Sequence, residues 1–314
     1  VGPGHAFPQV LAYTRVILVL YGNNMRAIGE SSSRRPAVAG MFYPAHARDL
    51  AQDVRDSLAK GKAELPPTLS RAIISPHAGY VYSGPVAASA YAMLQPVRED
   101  IERVVLLGPS HQVPFEGLAV PSHAFFDTPL GPVPLDNASR RRLLELPFVE
   151  ARDDVHRYEH SLEVQLPFLQ ETLHRFSLLP LLVGWASAEQ VAQALALCWV
   201  GDENLIVVSS DLSHYLDYQT AKRMDAATAA AIEALRPEQI QPEGACGRIP
   251  VQGLLNAARE RSLRVQRLDL RNSGDTAGPR EEVVGYRAWL LGSQLERRQL
   301  HLPGNASCVT SSEA

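Results

Sequence analysis

The chain has 314 residues, 46% of them hydrophobic and 20% charged, with a formal net charge of -4 at neutral pH. That balance is ordinary for a globular protein, and a chain of this length buries enough surface to dispense with covalent staples. A pI near 6.2 offers no electrostatic footprint for nucleic acid or an anionic membrane surface, and no apolar run approaches the ~18–20 residues that cross a bilayer.

Three scattered cysteines, Cys198, Cys246 and Cys308, do not make a disulfide framework and point to a reducing, cytoplasmic setting. Residues 1–34 read as an extension or disordered leader, 35–295 as one α/β domain, and 296–314 as a disordered tail. Within the domain, Leu50, Val54 and Leu58 recur at helical spacing and predict a helix over 45–60 that Gly61 ends. A strand over 72–75 follows and stops at Pro76-His77. Ser83-Gly-Pro85 then predicts the start of a second helix, with Ser83 as its cap.

A second strand over 103–107 runs into Gly108-Pro-Ser-His111, and a Pro/Gly-rich passage holds a short strand near 117–120. Helices are expected over 136–146 and over 159–173, the latter kinked at Pro167. After a strand over 176–183, Ser187-Ala-Glu-Gln190 is a capping box for a helix to about Cys198. A third apolar strand, 205–209, ends at Asp211 and His214; an alanine-rich helix over 217–235, a short helix over 251–258 and two final strands complete the chain. Alternating strands and helices predict a mixed, largely parallel sheet with helices on both faces.

Three buried strands therefore end in turns carrying His77, His111, and Asp211 with His214. Ligands of open α/β sheets sit outside the carboxyl ends of strands, so these residues are expected around one crevice. Neutral imidazole is both the commonest metal ligand and a base near neutral pH. Cys198 lies on an apolar helical run and reads as a small core residue. Cys246 sits instead in the turn Cys-Gly-Arg-Ile-Pro, where a thiolate beside two imidazoles suits a borderline or soft transition metal. His160 and Glu163, three apart near a helix start, are candidates either for partners that support the site from behind or for an acid–base pair. Arg248 is a candidate for holding an anionic substrate and Tyr80 for contacting it.

The ordered segments RPAVAGMFYP, SPHAGYVYSG, GPSH, EHSLEVQLPF, SSDLSHY, ACGRIP and VVGY, spread over residues 35–292, resemble the Memo family, whose prokaryotic members are called AmmeMemoRadiSam system protein B. One departure is Gly278-Pro279, where the family has Gly-Asp. The resemblance implies a fold related to the class III extradiol dioxygenases, with a metal held by His77, His111 and Cys246. It places Asp211, His214 and His160 in the same pocket, His160 or His214 serving as proton donor or acceptor.

The expected chemistry is redox, with iron(II) or copper, or else zinc, acting on an unknown small molecule or peptide. An AMMECR-type protein and a radical-SAM enzyme are the implied companions. Two other readings compete: a binding or adaptor protein that keeps the pocket without turnover, and a hydrolase with Cys246 as nucleophile and His77 as base.

Overall fold

In the computed structural model, which describes residues 33–61 and 68–294, the sheet has eight strands. In chain order they are β1 (Thr68–Ser75), β2 (Arg103–Pro109), β3 (Leu118–Val120), β4 (Val149–Ala151), β5 (Ser177–Val183), β6 (Asn204–Ser209), β7 (Arg264–Asn272) and β8 (Gly285–Gln294). Their spatial order is β7-β8-β1-β6-β2-β5-β3-β4. The central four, β1, β6, β2 and β5, are parallel, and antiparallel pairs β7–β8, β8–β1 and β5–β3 flank them.

The parallel strands are continuous apolar runs because both of their faces are covered. On β2, Val104 and Leu106 enter one core while Val105 and Leu107 enter the other; on β6, Leu205 and Val207 part from Ile206 and Val208 in the same way. Helices α1 (Ala47–Lys60), α2 (Tyr80–Ala92) and α4 (Leu166–Thr172) cover the first face. Helices α3 (Asn137–Leu143), α5 (Ala188–Cys198), α6 (Tyr218–Glu233) and α7 (Arg248–Glu260) cover the second. This is the expected α/β domain with helices on both sides. Among the described residues, no helix is long and apolar enough to cross a membrane.

Helix starts mostly follow the local signals. The Asp136 and Asp217 side chains accept from backbone N–H groups at the starts of α3 and α6, and the Ser187–Gln190 capping box opens α5. Two expectations fail. Helix α2 begins at Tyr80, a turn before Ser83, because the Tyr80 N–H finds the Phe42 carbonyl at 2.8 Å; Ser83 lies inside the helix and donates to the Ala78 carbonyl.

Residues 159–173 do not form one helix either. A single 3₁₀ turn, Glu163–Gln165, precedes α4, which places Pro167 in the first turn, where it costs no hydrogen bond and makes no kink. The polar side chains of the segment are drawn to partners elsewhere in the fold, and that tertiary demand overrides the helical spacing.

The domain also begins earlier than expected. Arg34, assigned to the leader, is 3% exposed, and Ser33–Arg34 pairs with Phe125–Phe126 in a small second sheet. The leader reading of residues 1–32 and the tail reading of 296–314 lie outside the described residues.

Candidate metal centre

The sheet register aligns the strand ends: Ser75 of β1 faces Ser209 of β6, and Leu107 of β2 faces Val208. The turns after β1, β2 and β6 consequently open on a common edge. His77 is buried there, its ring centroid 5.2 Å from that of His111. His160, from the segment before α4, lies 5.6 Å from His77 and stacks on His111 at 4.8 Å. One potential ligand atom from each of the three lies within 4.8 Å of the others, a group of the size that holds one ion.

Hydrogen bonding fixes two of the rings. Ser209 Oγ donates its one proton to the Ser161 carbonyl at 2.6 Å, so toward His77 Nδ1, 2.8 Å away, it is an acceptor. His77 therefore carries its proton on Nδ1 and presents the Nε2 lone pair. Glu159 does the same for His111: its carboxylate accepts the His111 backbone N–H and, at 3.0 Å, Nδ1. Glu159 also accepts the backbone N–H groups of His160 and Ser161, and His160 Nδ1 lies 3.4 Å from the same oxygen. Burial alone would raise its pKa, but these bonds outweigh burial and hold it at about 2.

Cys246 approaches from the turn that starts α7, with Sγ 3.3 Å from His77 Nε2. That approach depends on Gly247, where a Cβ would meet Ser210 Cβ at 2.6 Å and the Ser209 carbonyl at 2.8 Å. The Asp211 backbone N–H donates to the sulfur, and Asp211 Oδ1 accepts the His77 N–H at 2.8 Å.

Burial lowers His77 strongly, helped by repulsion from His111 and His160, and burial also lowers His160 and His214. Burial raises Asp211 to about 7 and pushes the Cys246 thiol up, with Asp211 adding to the second shift. At neutral pH the buried imidazoles are thus neutral, the form that binds metal.

A family model described as Memo-like protein matches residues 34–290. The chain belongs to the Memo family. Its relatives include proteins named MEMO1 family protein from Aquifex aeolicus, 36% identical over 81% of this chain and 97% of that one, and from Aeropyrum pernix, 36% identical over 81% and 98%. A third, from Thermotoga neapolitana, is 35% identical over 82% and 99%. A solved structure titled as an uncharacterized protein JW3007 from Escherichia coli K12 superposes with a TM-score of 0.49 at 15% identity, over 71% of this chain and 100% of that one.

In this Memo-family chain the sequence-predicted residues have unequal fates. His77, His111 and His160 form one group of potential ligands, and Cys246 is set against His77 alone of the three, with Asp211 behind His77 and His214 close enough to bias its charge. Tyr80 does not face a substrate: it is 6% exposed, and its hydroxyl donates to the Val164 carbonyl at 2.8 Å among Tyr43 and Phe168. Arg248 reaches back to Gln252 on its own helix.

The expected pairing of His160 with Glu163 is replaced by Glu159. Glu163 instead accepts from Arg34, Tyr43 and the backbone N–H groups of Ala37 and Val38, and none of its hydrogen bonds is to a histidine ring. Sequence reasoning missed Glu159 and Ser209, the two groups that orient the rings. Their only signals were an acid directly before His160 and a hydroxyl at the end of an apolar strand.

Proposed function

We propose that the chain is a metal-dependent redox enzyme whose ion is held by His77, His111 and Cys246, with His160 and His214 as the neighbouring proton carriers. The observation that carries this reading is the 3.3 Å separation of Cys246 Sγ from the His77 Nε2 lone pair. Two donors each ~2.0–2.3 Å from one tetrahedral ion stand ~3.5 Å apart, so nitrogen and sulfur already have the spacing of co-ligands. The donor set of imidazoles plus a thiol fits iron(II), copper or zinc, the sulfur favouring copper. When bound, iron or copper supplies one-electron chemistry and Lewis acidity at that point.

The chain's own residues do the rest. Ser209 and Glu159 hold the rings of His77 and His111 with their Nε2 atoms forward, as partners behind a ligand do. His160 is neutral at physiological pH and able to accept a proton, while Asp211, poised near pH 7, is able to carry one. The raised thiol pKa speaks against Cys246 as a free nucleophile, since a hydrolase needs the thiolate without a metal.

The test is metal analysis of protein purified without chelator, followed by redox titration with electron paramagnetic resonance. Near-stoichiometric iron or copper that changes oxidation state, and is lost in His77→Ala and Cys246→Ser, is the expected result. Absence of metal, or retention in both variants, sinks the reading; zinc alone sinks its redox part.

A further inference from the structure

Beside the histidines lies a groove of about 440 Å³. Ala78 and Phe42 join the two, since Ala78 follows His77 and the Phe42 ring meets His160 edge-on at 4.9 Å. The far walls are Met41, Val81, Tyr82 and Tyr215, which are 72%, 65%, 38% and 73% exposed. Four large apolar side chains bared along one groove are more than the scattered exposure normal for a protein surface.

Tyr215 adds a second anomaly, because it is a bulky residue held at φ 56. A left-handed tyrosine costs of order 1 kcal/mol, and here that cost gains no burial.

The charge of the groove has one sign. Glu282 is the one acidic side chain among the described residues of its walls; it is exposed and has no hydrogen bond or ion pair among them. Among the described residues, no lysine or arginine lines it. Behind the groove, the Tyr286 phenol lies close enough to Asp211, Tyr82 and Tyr215 to interact with all three. Tyrosine rings and one free carboxylate, with no compensating base, form the kind of surface that recognises organic cations.

We infer that this groove binds the alkylammonium group of a cationic small molecule, with Tyr82 and Tyr215 facing the cation and Glu282 balancing its charge. The inference rests on the proposed function, for which it supplies the charge class of the substrate presented to the histidines. It reverses the expectation attached to Arg248, that the substrate is an anion.

The test compares choline with its neutral isostere 3,3-dimethylbutan-1-ol by calorimetric titration, on samples whose metal content is measured in parallel. Choline is expected to bind at least about tenfold more tightly than the isostere. Glu282→Gln and Tyr215→Leu should each weaken choline about 2- to 30-fold and leave the isostere unchanged. Both positions are exposed, so these variants fold, and an unchanged melting temperature confirms it. Equal affinity for the two probes, or choline binding indifferent to both variants, overturns the inference. So does a failure of choline to bind protein that carries its metal, an outcome that leaves the proposed function standing. Choline binding with no metal in any sample supports the groove and sinks the redox reading instead.

Discussion

Two glutamates four residues apart serve two different regions of the molecule. Glu163 is fully buried beneath the centre, where its carboxylate accepts from the Arg34 guanidinium, the Tyr43 hydroxyl and two backbone N–H groups. Arg34 in turn donates to the carbonyls of His156 and Glu159. All of these bonds tie the leading segment to the body of the domain. Glu159 spends its oxygens on His111 and on the backbone of His160 and Ser161. The same side chain is a fastener in one place and an aiming device in the other; what differs is whether its partners are structural donors or the rings of the centre.

The largest expected effect breaks the fastener. Glu163→Ala leaves the Arg34 charge buried and unpaired, and loss of one partner of a buried pair costs about 3–5 kcal/mol. Urea unfolding should show that loss, while the protein that remains folded keeps its metal affinity within a few-fold. Equal damage to metal binding would mean that the two regions are one.

The mirror experiment is Glu159→Gln, which keeps the shape and removes the charge. Metal affinity should fall about 10- to 100-fold, the usual effect of losing a group that orients a ligand, with less destabilisation than Glu163→Ala. Isothermal metal titration of both variants reads the contrast directly. A Glu159→Gln protein that binds metal normally would show that His111 needs no such support.

Acid separates the regions in another way. His156, whose carbonyl belongs to the Arg34 cluster, is buried with Nε2 3.1 Å from the Ala119 carbonyl, and burial lowers its pKa to about 3. The unfolded chain binds this proton near pH 6.5 and the folded chain only near 3. Stability is therefore full above about pH 6.5 and falls as pH drops toward 3. Between about pH 7.5 and 5.5 this one group should remove about 1.4 kcal/mol. The site histidines add losses of the same sign, so the measurement is the difference between wild type and His156→Gln, whose amide can still donate to Ala119. An unchanged slope in the variant would assign the acid sensitivity to the centre alone.

Much of this was legible in the chain. Val104 to Leu107 and Leu205 to Val208 announce buried strands by being apolar at every position, and the histidines and Asp211 announce themselves by following such runs at once. Cys246 stood out because a Gly/Pro turn is a poor home for a core cysteine. What the sequence could not show is which acid serves which base. Glu163 sits at helical spacing from His160, yet the segment turns as a 3₁₀ element because Gln165 is drawn to the Pro76 carbonyl, Ser209 and Tyr91. Such long-range bonds leave no periodic trace. Tyr80 misled for a related reason: its neighbour His77 joins the histidine group, but the turn between them carries Tyr80 into the core.

The smallest expected effect tests whether a third region belongs in the comparison. Ser187→Ala removes the capping box of α5 and should cost about 1 kcal/mol. Helix α5 packs on α7 so closely that a Cβ on Gly253 would meet Val191 at 2.3 Å, and α7 begins beside Cys246. A frayed first turn, which includes Val191, could in principle move the sulfur. Against this, the Gly247 N–H is held independently by Ser210 Oγ at 3.0 Å, and the Cys246 N–H by the Asp211 carbonyl. The turn carrying the sulfur is thus anchored to the end of β6 rather than to α5. Stability should fall while metal affinity stays within twofold. If affinity falls with stability, the second helical layer positions the thiol, and Cys246 depends on a region that neither glutamate touches.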